Sequence, residues 1–268
     1  MPVPLRSSTP LVADAPLTMV PLLPTLVVGS YKGGVWKTSL AVAIAERLAW
    51  ADLKVLLVTS DTQEDARSRL GLKASDPQIA RIERGKGTLT VLGARDSVAI
   101  DLLYRSGPGR LGQGSFDVAV VDTPPILEGG HLPGVLLVTP IDGTDAARNL
   151  ISMLRGVPSN SEIILAKVHR MDPVQWERDA TAIEQAAGRA IQYLSSPLPR
   201  SAPVEAAHNN GRSVWALPRR GCTWEFLSAV DTLACSLWTK AFPKKPWPAM
   251  PPLKATAYVD GWDGKDAP

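Results

Sequence analysis

The short apolar run Leu26–Gly29 leads directly into Ser30-Tyr31-Lys32-Gly33-Gly34-Val35-Trp36-Lys37-Thr38-Ser39, and a helical pattern follows over Thr38–Trp50. A buried strand that turns through glycines into a helix must lay that helix back on its own sheet. The alternation continues along the chain. Apolar runs suited to buried parallel strands lie at Val55–Val58, Leu89–Leu92, Val118–Val121, Val135–Val138 and Ile163–Ala166. Helical patterns separate them at Glu64–Leu70, Ser97–Tyr104, Ala146–Leu154 and Val174–Ala187. A last helix, Thr223–Lys240, carries Phe226, Leu227, Val230, Leu233 and Leu237 on one face. The expected fold is α/β: a doubly wound, mostly parallel sheet with helices on both faces, binding ligands beyond the carboxyl ends of its strands.

Proline sets the expected domain limits. Of 24 prolines in 268 residues, six fall in 1–24 and six in 243–268. The ends therefore read as extended tails, 1–24 and 243–268, around one domain at 25–242. A chain 45% hydrophobic and 21% charged is neither disordered nor a coiled-coil rod. Cys222 and Cys235 are too few for a Cys-rich zinc site or a disulfide framework and read as reduced thiols. No stretch of 18 apolar residues occurs, and Pro21 and Pro24 interrupt the apolar segment Leu17–Val28, a poor signal peptide. The expected location is the cytoplasm. The net charge is +3, with basic stretches at 81–110 and 200–220 that suit either a polyanion or plain solvent. Trp50, Trp224 and Trp238 fall on helical faces and are expected in the core. Trp247 and Trp262 lie in the proline-rich C-terminal segment, where they can dock on the body, bind a partner or stay loose.

The glycine-rich segment has the strand–loop–helix context of a phosphate-binding P-loop. Successive main-chain N–H groups of Lys32, Gly33, Gly34, Val35 and Trp36, with the helix N-terminus at Lys37, Thr38 and Ser39, can surround a phosphate. Lys37 is placed to neutralise β- and γ-phosphate charge, and the Thr38 hydroxyl to bind Mg²⁺. Trp36 stands where the usual loop has glycine. If that position needs a positive φ, tryptophan costs about 1–2 kcal/mol; if not, its indole is free to face outward.

The extra lysine, Lys32, marks a deviant Walker A motif, and the chain resembles the ParA/MinD family of P-loop ATPases, whose loop reads K-G-G-x-G-K-[ST]. The likeness extends to Lys54–Gln63, similar to the family's second strand ending D-x-D-P-Q, and to Phe116–Pro125, similar to its Y-D-x-x-x-x-D-x-P-P strand. Pro199-Arg200, Glu205-Ala206 and Gly211-Arg212-Ser213-Val214 resemble, more weakly, the late segment near the nucleotide base. The resemblance implies that Lys32 reaches phosphates bound by a partner subunit across a dimer interface. Lys37 would act on the phosphates of ATP. Asp61 would position the attacking water on the metal side, and Thr38 and Asp122 would hold Mg²⁺. Thr59 and Thr62 replace an aspartate and a proline of the family pattern.

Within the family, the prolines after Phe242 argue against a membrane-binding amphipathic helix there. The cysteines do not match those of iron-protein relatives, and the tail lacks the tyrosines of kinase relatives. What remains resembles the DNA-partition type: an ATPase that dimerises with ATP, binds DNA without sequence preference and is stimulated by a centromere-binding or other adaptor protein. Such a protein would be nucleoid-associated and would serve plasmid or chromosome segregation. Two alternatives stand beside it: an ATP-driven positioning or assembly switch for protein cargo, and a weakly hydrolysing nucleotide-binding scaffold.

Overall fold

The structure is a computed structural model that describes residues 20–30, 36–59, 65–93, 101–105, 107, 111, 115–123, 132–168 and 172–253. It contains one eight-stranded sheet. The strands are β1 Thr25–Val28, β2 Lys54–Thr59, β3 Ile79–Arg84, β4 Gly87–Gly93, β5 Val118–Asp122, β6 Leu136–Ile141, β7 Glu162–Lys167 and β8 Gln192–Tyr193. Their spatial order is β3-β4-β2-β5-β1-β6-β7-β8, and only β3 runs antiparallel to its neighbour. The helices are α1 Lys37–Ala49, α2 Asp65–Arg69, α3 Thr144–Leu154, α4 Pro173–Ala187, α5 Ala202–Asn209 and α6 Gly221–Ala241. A π-helical turn occupies Asp101–Arg105, overlapping the end of the expected helix Ser97–Tyr104, whose first residues lie outside the described ones.

The period-2 alternation of the strands divides the core into two layers. Leu26, Val28, Val55 and Leu57 face a layer built with α1, α5 and α6. Val27, Leu56 and Val58 face a second layer that includes Leu103, Leu150 and Ile183. Helices thus cover both faces, as the doubly wound expectation requires. In α1 every residue except Thr38 is buried, so this helix lies inside the protein and not on its rim. The helix α6 closes the layer outside it, with Phe226, Leu227, Val230, Leu233 and Leu237 all fully buried.

Sequence patterns explain several boundaries. In α4, Asp172 caps the helix by accepting from the Gln175 backbone N–H at 2.9 Å, Pro173 occupies the first position, and Gly188 ends it at φ 60°. Three elements were not expected. The strand β3 is an edge strand whose charged residues Arg81, Glu83 and Arg84 break any apolar run. The strand β8 has two exposed residues, and α5 spans only eight residues. Trp224, expected in the core, is exposed because it lies on the outer face of α6; Trp50 is half-buried and Trp238 buried.

The segment 243–253 is packed against the body around Arg47 of α1. The Arg47 guanidinium bonds Asp231 Oδ1 and the Pro248 carbonyl, each at 2.6 Å, and its carbon lies 4.1 Å from the centre of the Trp247 ring. Trp247 in turn donates its indole N–H to Asp231 Oδ2 at 3.1 Å and meets Trp238 edge-on at 5.4 Å. Arg219 bonds the Pro251 carbonyl. Burial lowers the Arg47 pKa, and Asp231 opposes that shift. Trp262 lies outside the described residues.

Candidate functional site

The carboxyl ends of β1, β5 and β2 lie side by side. Val28 is in register with Asp122, and Asp122 with Thr59. Parallel pairing at these three ends brings the start of the glycine-rich loop next to a fully buried carboxylate. The turn after β5 is tied back to β1: the Thr123 hydroxyl and N–H both donate to the Val28 carbonyl, at 3.0 and 3.3 Å. On the other side, Gly29 N–H donates to Val138 at 3.0 Å. The path out of β1 is therefore fixed from both flanks. Thr59 is buried, and among the described residues its hydroxyl has no hydrogen-bond partner. A shorter neutral side chain thus stands where the family pattern carries an aspartate.

Lys37 opens α1 and is 7% exposed, Thr38 is half-buried and Ser39 is 5% exposed. The first turn of α1 contains no acidic residue, so its N–H groups present partial positive charge at the helix start. Lys32, Gly33, Gly34, Val35 and Asp61 lie outside the described residues. Of the expected site residues, the structure brings together Trp36, Lys37, Thr38 and Ser39 at the start of α1, and Asp122 at the adjacent strand end.

Trp36 adopts φ 65° and ψ 12°, the left-handed conformation, immediately before the helix. The sequence left two possibilities for this residue, and the structure takes the strained one. Its indole does not face outward. It packs on Phe226 of α6 with ring centres 5.4 Å apart and planes tilted by 48°. An aromatic contact of about 0.5–1.5 kcal/mol beyond area burial offsets most of a strain of about 1–2 kcal/mol.

The late segment meets α1 by two routes that the sequence did not reveal. Ser213 donates to Glu46 Oε2 of α1 at 3.0 Å, and Arg84 at the end of β3 bonds Glu46 Oε1 at 2.8 and 2.9 Å. Further along, α5 packs on α2 through two glycines with positive φ, Gly71 and Gly211. A Cβ on Gly211 would stand 2.5 Å from Gly71 Cα, so no other residue fits. This brings His208 next to Arg69, whose guanidinium donates to the Ser39 hydroxyl at 3.1 Å. Pro199-Arg200 lies at the other end of α5, where Arg200 bonds Asp142 at 3.0 Å.

His208 is fully buried, and neither ring nitrogen has a partner among the described residues. Burial, and then the Arg69 charge, push its pKa from 6.5 down to about 3. The folded value lies below the unfolded one, so between them the unfolded chain holds the extra proton. The neutral imidazole costs nothing above pH 6.5, and stability falls as pH drops toward 3. His208→Gln should therefore flatten the pH dependence of urea unfolding in this window by about 1.4 kcal/mol per pH unit. Identical slopes for the two proteins would refute the assignment.

Residues 24–99 match a family model described as an AAA domain. A chain of the MinC:MinD cell division protein complex of Aquifex aeolicus superimposes with TM-score 0.56 at 18% identity, covering 84% of this chain and 100% of that one. An ATP complex of a McdA variant from Cyanothece gives TM-score 0.56 at 16% identity, covering 85% and 99%. MinD of Pyrococcus horikoshii complexed with Mg-ADP gives 0.55 at 16%, covering 79% and 96%. The chain has the ParA/MinD fold. No curated protein matches it. The likeness to the ParA/MinD P-loop ATPases read from the loop and strand motifs thus has independent support from the family model and from the architecture.

Proposed function

We propose that the chain is a ParA-like ATPase, an ATP-dependent dimer switch in plasmid or chromosome partition, with its catalytic domain at 25–242. The observation that carries the ATP reading is the pairing of a buried carboxylate, Asp122, in register with the strand that feeds Lys37, Thr38 and Ser39. The donor set fits a magnesium nucleotide. An acid-free helix N-terminus with a buried lysine suits phosphate, and a hydroxyl with a carboxylate suits Mg²⁺. The solved relatives bound to ATP and Mg-ADP agree with this chemistry. Bound Mg²⁺ neutralises charge that develops on the transferred phosphoryl group.

The chain's own groups have distinct tasks in this reading. Lys37 pairs with the β- and γ-phosphates, and Thr38 and Asp122 hold the metal. Asp61 orients water on the metal side. Lys32 reaches the phosphates of the partner subunit, which makes dimerisation depend on ATP. Lys37→Ala should weaken binding of a fluorescent ATP analogue at least about a hundredfold and abolish phosphate release, because loss of a desolvated charge pair costs several kcal/mol. Unchanged binding would sink the reading. Trp36→Gly belongs in the same assay, since relief of the strained loop with faster turnover would favour the weakly hydrolysing scaffold.

For the cargo, DNA partition and protein positioning make different demands on the surface. Several arginines in the two basic stretches are committed to internal contacts: Arg84 to Glu46, Arg200 to Asp142 and Arg219 to Pro251. This favours, as a second reading, a switch for protein cargo, in keeping with the MinC:MinD assembly of the relative. Gel shift on random duplex DNA with ATP, ADP and no nucleotide separates the two. ATP-dependent, salt-sensitive retardation supports partition, and its absence supports protein cargo.

A further inference from the structure

The C-terminal segment meets the body with a regular repeat. The carbonyls of Lys245, Pro248 and Pro251 all accept from it: Lys245 from Trp238 Nε1 at 3.1 Å, Pro248 from Arg47 Nη2 at 2.6 Å, and Pro251 from Arg219 Nη2. Trp247 and Met250 pack against the hydrophobic core, while Pro246, Ala249 and Pro252 are exposed. Residues 246–252 belong to neither helix nor strand. Contacts that recur at every third residue fit the polyproline helix, which has three residues per turn and no internal hydrogen bonds, so its carbonyls stay open to donors. The run Pro248-Ala249-Met250-Pro251 has the P-x-x-P spacing that favours it.

The donors come from three separate places: Arg47 on α1, Arg219 just before α6, and Trp238 near the end of α6. Asp231 of α6 accepts from Arg47 at 2.6 Å, so the Arg47 charge has its carboxylate within the body itself. Charge balance alone therefore does not call for the segment; carbonyl spacing and the Trp247 ring select it. That ring lies over the Arg47 guanidinium at 4.1 Å and donates its N–H to Asp231 Oδ2 at 3.1 Å. Trp247 also borders a cavity of about 460 Å³ lined by Leu136, Cys235 and Thr239, so it is not enclosed on every side. Aromatic and donor groups placed along an extended proline-containing segment are how proteins read proline-rich ligands.

We propose that Arg47, Arg219, Asp231 and Trp238 form a recognition site for an extended proline-rich peptide of the pattern Trp-Pro-x-x-Pro, and that residues 245–251 are its ligand, held in the same molecule. The site uses none of residues 30–39 and stands apart from the nucleotide reading. Tethering keeps the resident segment at high effective concentration. A free peptide of the same sequence therefore gains access only when the tethered copy is weakened.

The test is fluorescence anisotropy of a labelled peptide spanning Phe242–Leu253, added to the full chain and to the full chain carrying Trp247→Ala. This variant takes the ring contact and the Asp231 bond from the tethered copy and leaves the four residues of the site in place. The peptide should bind it at least about tenfold more tightly than wild type. Adding Arg219→Ala to that chain should weaken the peptide about tenfold, the scale of a charge-assisted hydrogen bond. A peptide with its own Trp247→Ala change should not bind. No binding to the Trp247→Ala chain, or equal binding to both chains, overturns the proposal. If Trp247→Ala does not fold, Pro248→Gly with Pro251→Gly loosens the tethered copy through its chain entropy, and the same comparison decides.

Discussion

Gly87→Ala should destabilise the protein by more than about 3 kcal/mol or prevent folding altogether. Gly87 opens β4 directly beneath the end of α1. A Cβ at this position would stand 2.0 Å from the Ala49 carbonyl oxygen and 2.6 Å from that of Leu53. Both obstacles are backbone, so no rotamer change relieves them. The Leu53 oxygen is also held in place by the Thr88 N–H at 2.9 Å. Overpacking a core usually costs about 1–3 kcal/mol, and here the end of the helix would have to move as well. Gly188→Ala is the control. Its φ is 60° but nothing lies within 4 Å of the added carbon, so about 1 kcal/mol of backbone strain is all it should lose. Urea midpoints for the two variants decide the matter, and equal losses would refute the steric account.

Glu46→Ala should cost about 3–5 kcal/mol, the scale for stripping one partner from a buried ion pair. Glu46 is fully buried in α1 and receives bonds from Arg84 on the edge hairpin and from Ser213 in the late segment. Removing the carboxylate leaves the Arg84 guanidinium, itself 7% exposed at the side chain, without its charge partner. The double replacement Glu46→Met with Arg84→Leu should recover most of the loss, because two apolar groups of similar volume carry no desolvation cost. A double variant as unstable as Glu46→Ala would mean that the three-way bond itself, and not the stranded charge, supports the structure. The second effect falls on function. This one carboxylate ties the helix that begins at Lys37 to two distant parts of the chain.

The parts of this architecture that follow period and spacing were legible in the sequence. The apolar runs at Val55–Val58 and Val118–Val121 sit within observed strands, and the buried face of α6 is the one its spacing implies. The strand ending in Asp122 and the helix that starts at Lys37 also lie where the alternation of apolar runs and helical patterns put them, while Lys32–Val35 lie outside the described residues. What could not be read depends on meetings between distant segments. Arg69 gives no local signal, since an arginine at the end of a polar helix is ordinary until Ser39 is seen beside it. Glu46 and Arg84 look like surface charges in sequence, and only the fold shows that they are buried against each other. Trp224 misled for the opposite reason: its helix was read correctly, but its position on the helix faces solvent. Trp36 was visible as an anomaly, yet its strain could be weighed only once Phe226 was found beneath it.

The two ends of the sheet bear on how this protein behaves when crowded. An exposed strand edge is a template for pairing with another chain. At one end the edge strand β3 is antiparallel and carries an Arg81–Glu83 ion pair at 2.9 Å on its exposed side chains. At the other end β8 is two residues long. Neither offers a long apolar border on which a second sheet could grow. Aggregation through strand addition is thereby discouraged at both borders of the sheet.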